Sequence, residues 1–474
     1  MDRLRESASV PDLSTKDIHH SSFLWDNTTK IATKTTSRIV EAASNFRSLF
    51  LPRQHAEEVP TILDDRILVE SMSYRQAFDT AWSKIKYNGW LLWHSDKFMK
   101  ESSIWLLGKF YKINNPGGYM QNYFPPKFYF GDLLEGSKEV IGSDESREIF
   151  QKFLEDFRSR IWLTYRTGLA RFPASNSTTD SGWGCTIRSC QMMVAQTLIL
   201  LNLGREWRFF ENLNSTRKCK DDSHLNIVSL FSDDLDSDLG IHRLIHLAIS
   251  EKSNAVGCWY SPSVALSLLQ KALLNSTSNV TNFLIMHNVI DGLLVKKDVV
   301  CASNNFARPV LVTVSVRLGT DSINSCYFNH IINFFSLKNG VGIVGGRPRH
   351  SMYFVGAYGK KSVIYLDPHT AHYALSPSKL SNSYGTFHCD HPEKLPLEDI
   401  DPSCSLGFLV RSEAEYDTTI KELNEIHFIE TEVQKENGFH PIFTALKDYP
   451  PMLKTFEISE RYQNVHVDQD FEVV

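Results

Sequence analysis

From Cys185 onward the chain carries a long apolar run: Met192, Met193, Val194, Ala195, Leu198, Ile199, Leu200, Leu201 and Leu203, with no Gly or Pro until Gly204. That pattern predicts a buried helix that stops at Gly204. Tyr74 to Trp90 and Ile149 to Ile161 show helical spacing of their apolar positions. The β-branched stretch from Pro309 to Val316 predicts a buried strand. Tyr353 to Tyr358 and Ser362 to Leu366 flank Gly359-Lys360-Lys361, which predicts a hairpin. Ile104 to Tyr111 predicts a strand or a buried turn, and Gly407 to Val410 a short strand. Helices around a mostly antiparallel sheet place the chain in the α+β class.

Between these elements the pattern changes. Residues 113–145 combine Pro, Gly and aromatic clusters and predict a loop insertion. Residues 212–240 are polar and acidic, with Asp233, Asp234, Asp236 and Asp238, and predict a solvated surface loop. Residues 1–75 are rich in Ser and Thr and predict a largely disordered extension. Within them Ile39, Ala43, Phe46 and Phe50 recur at helical spacing behind a potential cap, Ser37, with Arg38, Arg47 and Arg53 alongside. Two readings stay open there: a helix docked on the globular part, or a helix lying on a membrane surface. The globular part is expected over 76–435 and a flexible tail over 436–474.

Composition narrows the class. A hydrophobic content of 42% with 12% aromatic residues supplies a sizeable core. The net charge of −5 and pI near 6.4 give no support to nucleic-acid binding. Eight cysteines lie scattered, with no zinc-type spacing. A reducing compartment is the expectation, and with no secretory h-region or membrane-length apolar run the chain reads as cytosolic.

The chemistry sits at two places. Asp180-Ser181-Gly182-Trp183-Gly184-Cys185 is a Gly/Trp-rich turn that puts Cys185 at the predicted helix start. The positive end of a helix dipole stabilises a thiolate there, and the thiolate is the nucleophilic form. Far downstream, the strand-like Val363-Ile364-Tyr365-Leu366 runs into Asp367-Pro368-His369. Residues two apart on an extended segment share a face, so Asp367 and His369 are expected to project together, the carboxylate fixing the imidazole tautomer. The cluster Phe387-His388-Cys389-Asp390-His391 fits no usual zinc framework, and no metal is expected.

Thr179 to Cys185, with Arg188, Gln191, Met192 and Gln196, resembles the active-site signature of the autophagin family, cysteine proteases that process ubiquitin-like autophagy modifiers. Further blocks match in order: Arg160-Ile161-Trp162-Leu163-Thr164-Tyr165-Arg166, Gly257-Cys258-Trp259-Tyr260-Ser261-Pro262, Gly345-Gly346-Arg347-Pro348 and Tyr365-Leu366-Asp367-Pro368-His369-Thr370. The long extension points to the family branch that carries one. The departures are Thr186-Ile187 after the cysteine, Ser189-Cys190, and Ser261 in place of a glycine.

The resemblance implies a papain-like cysteine protease fold with an inserted small subdomain, placed within about 205–275. It implies Cys185 as nucleophile, His369 as base and acid, Asp367 as orienting group, Tyr165 as an oxyanion donor and Trp259 as the cover of a glycine-sized slot. Gly345 and Gly346 fall where the family has a mobile loop. The implied substrates are modifiers of the GABARAP type, free and conjugated to phosphatidylethanolamine, cleaved after a C-terminal glycine without a cofactor. Membrane contact would be transient, through the lipidated substrate, and the enzyme a monomer. The C-terminal Asp468-Gln469-Asp470-Phe471-Glu472-Val473-Val474 resembles the short motif that docks on such modifiers, with Phe471 and Val474 as anchors. Residues 1–75 are expected to suppress activity. The alternatives are an inactive or autoinhibited homologue that mainly binds the modifier, and a deubiquitinase-like thiol enzyme.

Overall fold

The computed structural model describes residues 101–114, 144–209, 222–251, 255–375, 384–431 and 441–449. The chain divides into two units, Met1–Glu70 and Ser71–Val474, and all described residues belong to the second. The expected helices at 37–50 and 74–90, most of the 113–145 loop and the tail motif lie outside the described residues.

The described chain opens with β1 (Glu101–Leu106), β2 (Lys109–Asn114), α1 (Asp144–Arg158), β3 (Tyr165–Thr167) and α2 (Cys185–Asn202). There follow α3 (Asp222–Ser229), α4 (Ile241–Glu251), α5 (Pro262–Leu274), β4 (Ile285–Val289), β5 (Leu293–Val295) and α6 (Lys296–Ala302). The third stretch is β6 (Val310–Arg317), α7 (Phe328–Phe334), β7 (Gly340–Arg347), β8 (His350–Tyr358), β9 (Ser362–Leu366) and β10 (Ala371–Tyr373). Last come β11 (Glu393–Pro396), β12 (Ser403–Val410), α8 (Glu413–Glu425), β13 (Ile429–Thr431) and β14 (Phe443–Leu446).

A nine-stranded sheet in the order β11-β9-β8-β7-β12-β6-β4 organises these elements, with β1 also on β8 and β2 on β1. All pairs are antiparallel except β4 with β6. β1 reaches β8 closely because residue 356 is glycine: a Cβ there would stand 2.2 Å from the Trp105 carbonyl oxygen. The sheet is covered on both faces, and its strands show why they read as continuous apolar runs. On β8 and β9, Tyr353, Val355, Ile364 and Leu366 enter one core, with α1 to α5. Met352, Phe354, Val363 and Tyr365, one step out of phase, enter the other. The first core also contains the buried residues of α3, α4 and α5 from the region where a small subdomain was placed.

α2 runs through the first core. Sixteen of its eighteen residues are buried, so the helix has no solvent-facing side. It ends at Asn202, and Gly204 takes φ +85, the left-handed geometry expected of a stop. The predicted strand at 309–316, the 353–366 hairpin and the strand near 407 are all present. The reading of 212–240 as a solvated loop fails for its second half. Residues 222–229 form α3, and Asp233 is buried because two arginines await it.

Candidate active site

Cys185 is the first residue of α2 and only 1% exposed. Gly184 caps the helix without a side-chain hydrogen bond, and the first turn holds no acidic residue. The N-terminal backbone donors and the positive dipole end are therefore left to the sulfur and whatever binds beside it. A larger residue does not fit at the cap: a Cβ on residue 184 would lie 2.8 Å from the Asp180 Cβ and 3.1 Å from its carbonyl oxygen.

Charges buried beneath the turn hold it in place. Asp180 accepts from the Arg166 N–H at 2.6 Å and from Arg188 Nε at 2.7 Å. Arg166 and Arg188 in turn face Asp233, at 3.5 and 3.9 Å, and Asp233 accepts from the Leu375 N–H at 3.0 Å. The Arg166 guanidinium also lies 4.7 Å from the Phe387 ring centre. Opposite charges thus compensate one another where water cannot. Arg188 was legible as part of the signature. Asp233 was not, since an aspartate among other acidic residues reads as solvated until its partners are located.

Asp367 and His369 follow the end of β9, and the structure brings them together. Asp367 Oδ1 accepts from the His369 backbone N–H at 3.0 Å and stands 2.5 Å from His369 Nδ1. Both residues are buried. The segment is gripped by the block that precedes it by two hundred residues. Trp162 Nε1 donates to the Asp367 carbonyl at 2.6 Å, the Tyr165 N–H donates to the Pro368 carbonyl at 3.0 Å, and β3 pairs with β10 in parallel.

Cys185, His369 and Tyr165 meet. Burial by itself raises the Cys185 thiol. The His369 imidazole beside it, the Ser351 backbone N–H and the Tyr165 hydroxyl outweigh it and hold the thiol below its ordinary value. Burial likewise drives His369 toward its neutral form, but the Asp367 carboxylate and then the Cys185 thiolate push it up to about 10. Asp367 stays below the usual carboxylate range because the His369 charge and hydrogen bonds overcome its burial. Tyr165 is raised well above its ordinary value by burial and by the Cys185 charge, so its hydroxyl remains a donor. His369 Nε2 is buried and closes no hydrogen bond of good geometry. The sulfur and the ring attract as charges, in an arrangement that a bound substrate can tighten.

The result is a buried cysteine–histidine pair in which each group is shifted toward its charged form, oriented by a carboxylate, beside a tyrosine hydroxyl and the amides of the helix start. It can attack an acyl carbon and return a proton to the leaving group. Cys190 contrasts with Cys185: burial and the nearby Cys185 charge raise it strongly, so it stays a packed thiol. Trp259 lies just before α5, half-buried, with its indole N–H buried and unpartnered. Ser261, the departure from the usual glycine, caps α5 by accepting from the Val264 N–H. His388 bonds to the Arg158 carbonyl and to His224, at 2.8 and 3.1 Å, and the described residues hold no converging metal-type cluster. Phe471 and Val474 lie outside the described residues. Ser351 and His350, at the start of β8, were not foreseen. Only Gly345 and Gly346 on the preceding strand carried a signal, and it said nothing about donors or rings.

A papain-like α+β fold and a cysteine–histidine–aspartate arrangement define a cysteine peptidase. The chain matches the Peptidase C54 catalytic domain over residues 150–422 and belongs to that family, the autophagins. It is 32% identical over 427 residues to the cysteine protease atg-4.2 of Caenorhabditis elegans, covering 83% of this chain and 77% of that one. It is 30% identical over 423 residues to the cysteine protease ATG4C of Xenopus laevis, covering 79% and 89%. To human cysteine protease ATG4C it is 29% identical over 403 residues, covering 74% and 85%. Among the described residues no helix is long and apolar enough to cross a membrane.

Proposed function

We propose that this peptidase cleaves ubiquitin-like autophagy modifiers of the GABARAP type after their C-terminal glycine, and releases the same modifiers from phosphatidylethanolamine. The observation that carries this reading is the thiol at the start of α2, depressed by His369 and Tyr165, in a chain of the C54 family. Both reactions break an amide at one glycine carbonyl, so a single site serves both.

The Cys185 thiolate attacks that carbonyl. The oxyanion forms beside the Tyr165 hydroxyl and the helix-end N–H groups, which donate to it. His369 gives its proton to the leaving amine as the C–N bond breaks and a thioester remains. Neutral His369 then takes a proton from water, the hydroxide attacks the thioester, and the thiolate departs. Asp367 holds the imidazole throughout. Trp259 covers the slot and admits a glycine tail. Phe471 and Val474 add a second contact by pairing with a sheet edge of the modifier. The enzyme acts as a monomer in the cytoplasm and touches membranes only through lipidated substrate.

The test is cleavage of a modifier precursor that extends beyond its glycine, by wild type and by Cys185→Ala. Cleavage at the glycine by wild type alone is expected. Binding of the precursor without cleavage by either protein would overturn the proposal in favour of a modifier-binding homologue.

A further inference from the structure

His350 stands one residue before the N–H that donates to the Cys185 sulfur. Its ring centre is 4.8 Å from that of His369, with the planes inclined by 32°. Tyr165 meets the same imidazole edge-on, at 5.4 Å and 86°. Asp367 secures one edge of the His369 ring through Nδ1. A ring held at one edge can still rock about that contact, and a near-parallel plate on its face opposes the rocking.

The plate itself is well anchored. Arg347 pairs with His350 across a two-residue turn, and Gly346 pairs with Ser351. Arg347 Nη2 donates to Asp399 at 2.7 Å, and the Gly346 carbonyl accepts from the Asp401 N–H at 2.8 Å. Arg349, at the turn, takes φ +64, a conformation that disfavours an L side chain and persists only where its surroundings hold it.

We infer that His350 is a positioning residue for His369: its ring fixes the plane of the base. The strand that carries His350 is tied to β7, and β7 to Asp399 and Asp401, so the plate is held from a part of the chain separate from the base segment. This rests on the catalytic role given above to His369.

Alkylation of Cys185 by iodoacetamide, read on the Cys185 peptide by mass spectrometry in the full chain, needs no protein substrate. A modifier that is not cleaved by a normally reactive Cys185 would count against the proposed activity and leave this inference standing. Rates are followed from about pH 5 to about pH 11, a window that runs past the His369 value of about 10. His350→Ala is expected to lower the alkylation rate about three- to tenfold, the scale of a lost aromatic pair, and to move its midpoint to higher pH. His350→Phe keeps the plate and is expected to restore the rate to within about twofold. An unchanged rate and profile in His350→Ala would overturn the inference. So would equal impairment of His350→Ala and His350→Phe, with or without a fall in melting temperature.

Discussion

The proposed nucleophile and the proposed base reach the same point by opposite constructions. Cys185 is the first residue of an eighteen-residue buried helix, and the turn before it is fixed by four charges, Asp180, Arg188, Arg166 and Asp233. His369 belongs to an irregular segment between β9 and β10 and is held by neutral groups from distant parts of the chain: the Trp162 indole, the Tyr165 backbone and ring, and the His350 ring. The nucleophile side is built into the core, so disturbing it costs stability. The base side is clamped from outside, so disturbing it costs activity first.

The largest effect that tests this contrast is on the base side. His369→Ala should lower kcat/KM on the order of 10³-fold or more, with the melting temperature close to wild type. A collapse in melting temperature would mean that the base segment is part of the core after all. Asp367→Asn comes next, with a loss on the order of 10²-fold or more. It also carries a sign. Removing the carboxylate removes what raises His369 to about 10, so the alkaline limb of the pH–kcat/KM profile should move to lower pH. In wild type that limb should lie near 10, where His369 loses the proton it must give the leaving amine. The acid limb should lie below the ordinary thiol value, where Cys185 becomes protonated. An acid limb at or above that of a free-cysteine peptide would contradict the ion pair.

On the nucleophile side, Arg188→Met removes one partner from a buried charge cluster and should destabilise the protein by about 3–5 kcal/mol in denaturant unfolding. A stable but inactive Arg188→Met would erase the distinction between the two sides. Gly184→Ala sharpens it: the new methyl meets the Asp180 Cβ and backbone carbonyl, so the turn must shift. A loss of about 1–3 kcal/mol together with slower Cys185 alkylation is expected. The smallest effect belongs to Trp162→Phe, which keeps a ring but loses the donor to the Asp367 carbonyl. Cleavage should slow by less than about tenfold, the value of one hydrogen bond, with little change in stability.

Much of this site was legible in the chain. Cys185, Asp367 and His369 were each marked by local chemistry: a helix start after a tight turn, and two polar residues spaced to share a face. The framework strands β6, β8, β9 and β12 announced themselves through short apolar, β-branched runs and the turn at Gly359-Lys360-Lys361. The reading that failed concerned Asp233, placed among solvated acids although its carboxylate lies against Arg166 and Arg188. Local composition describes what surrounds a residue along the chain, and the energy of a charge depends on what surrounds it in space.

The sequence by itself therefore determined several of the elements, the helix that presents the thiol, and the pairing of a carboxylate with an imidazole two residues away. These depend on periodicity and short-range geometry, which a linear string retains. Only the tertiary structure decided that residues 162–165 would grip residues 367–368, that Ser351 would donate to a sulfur on another element, and that His350 would cover the base. Those contacts join segments far apart in the chain, and their position is set by how two apolar cores pack against a twisted sheet.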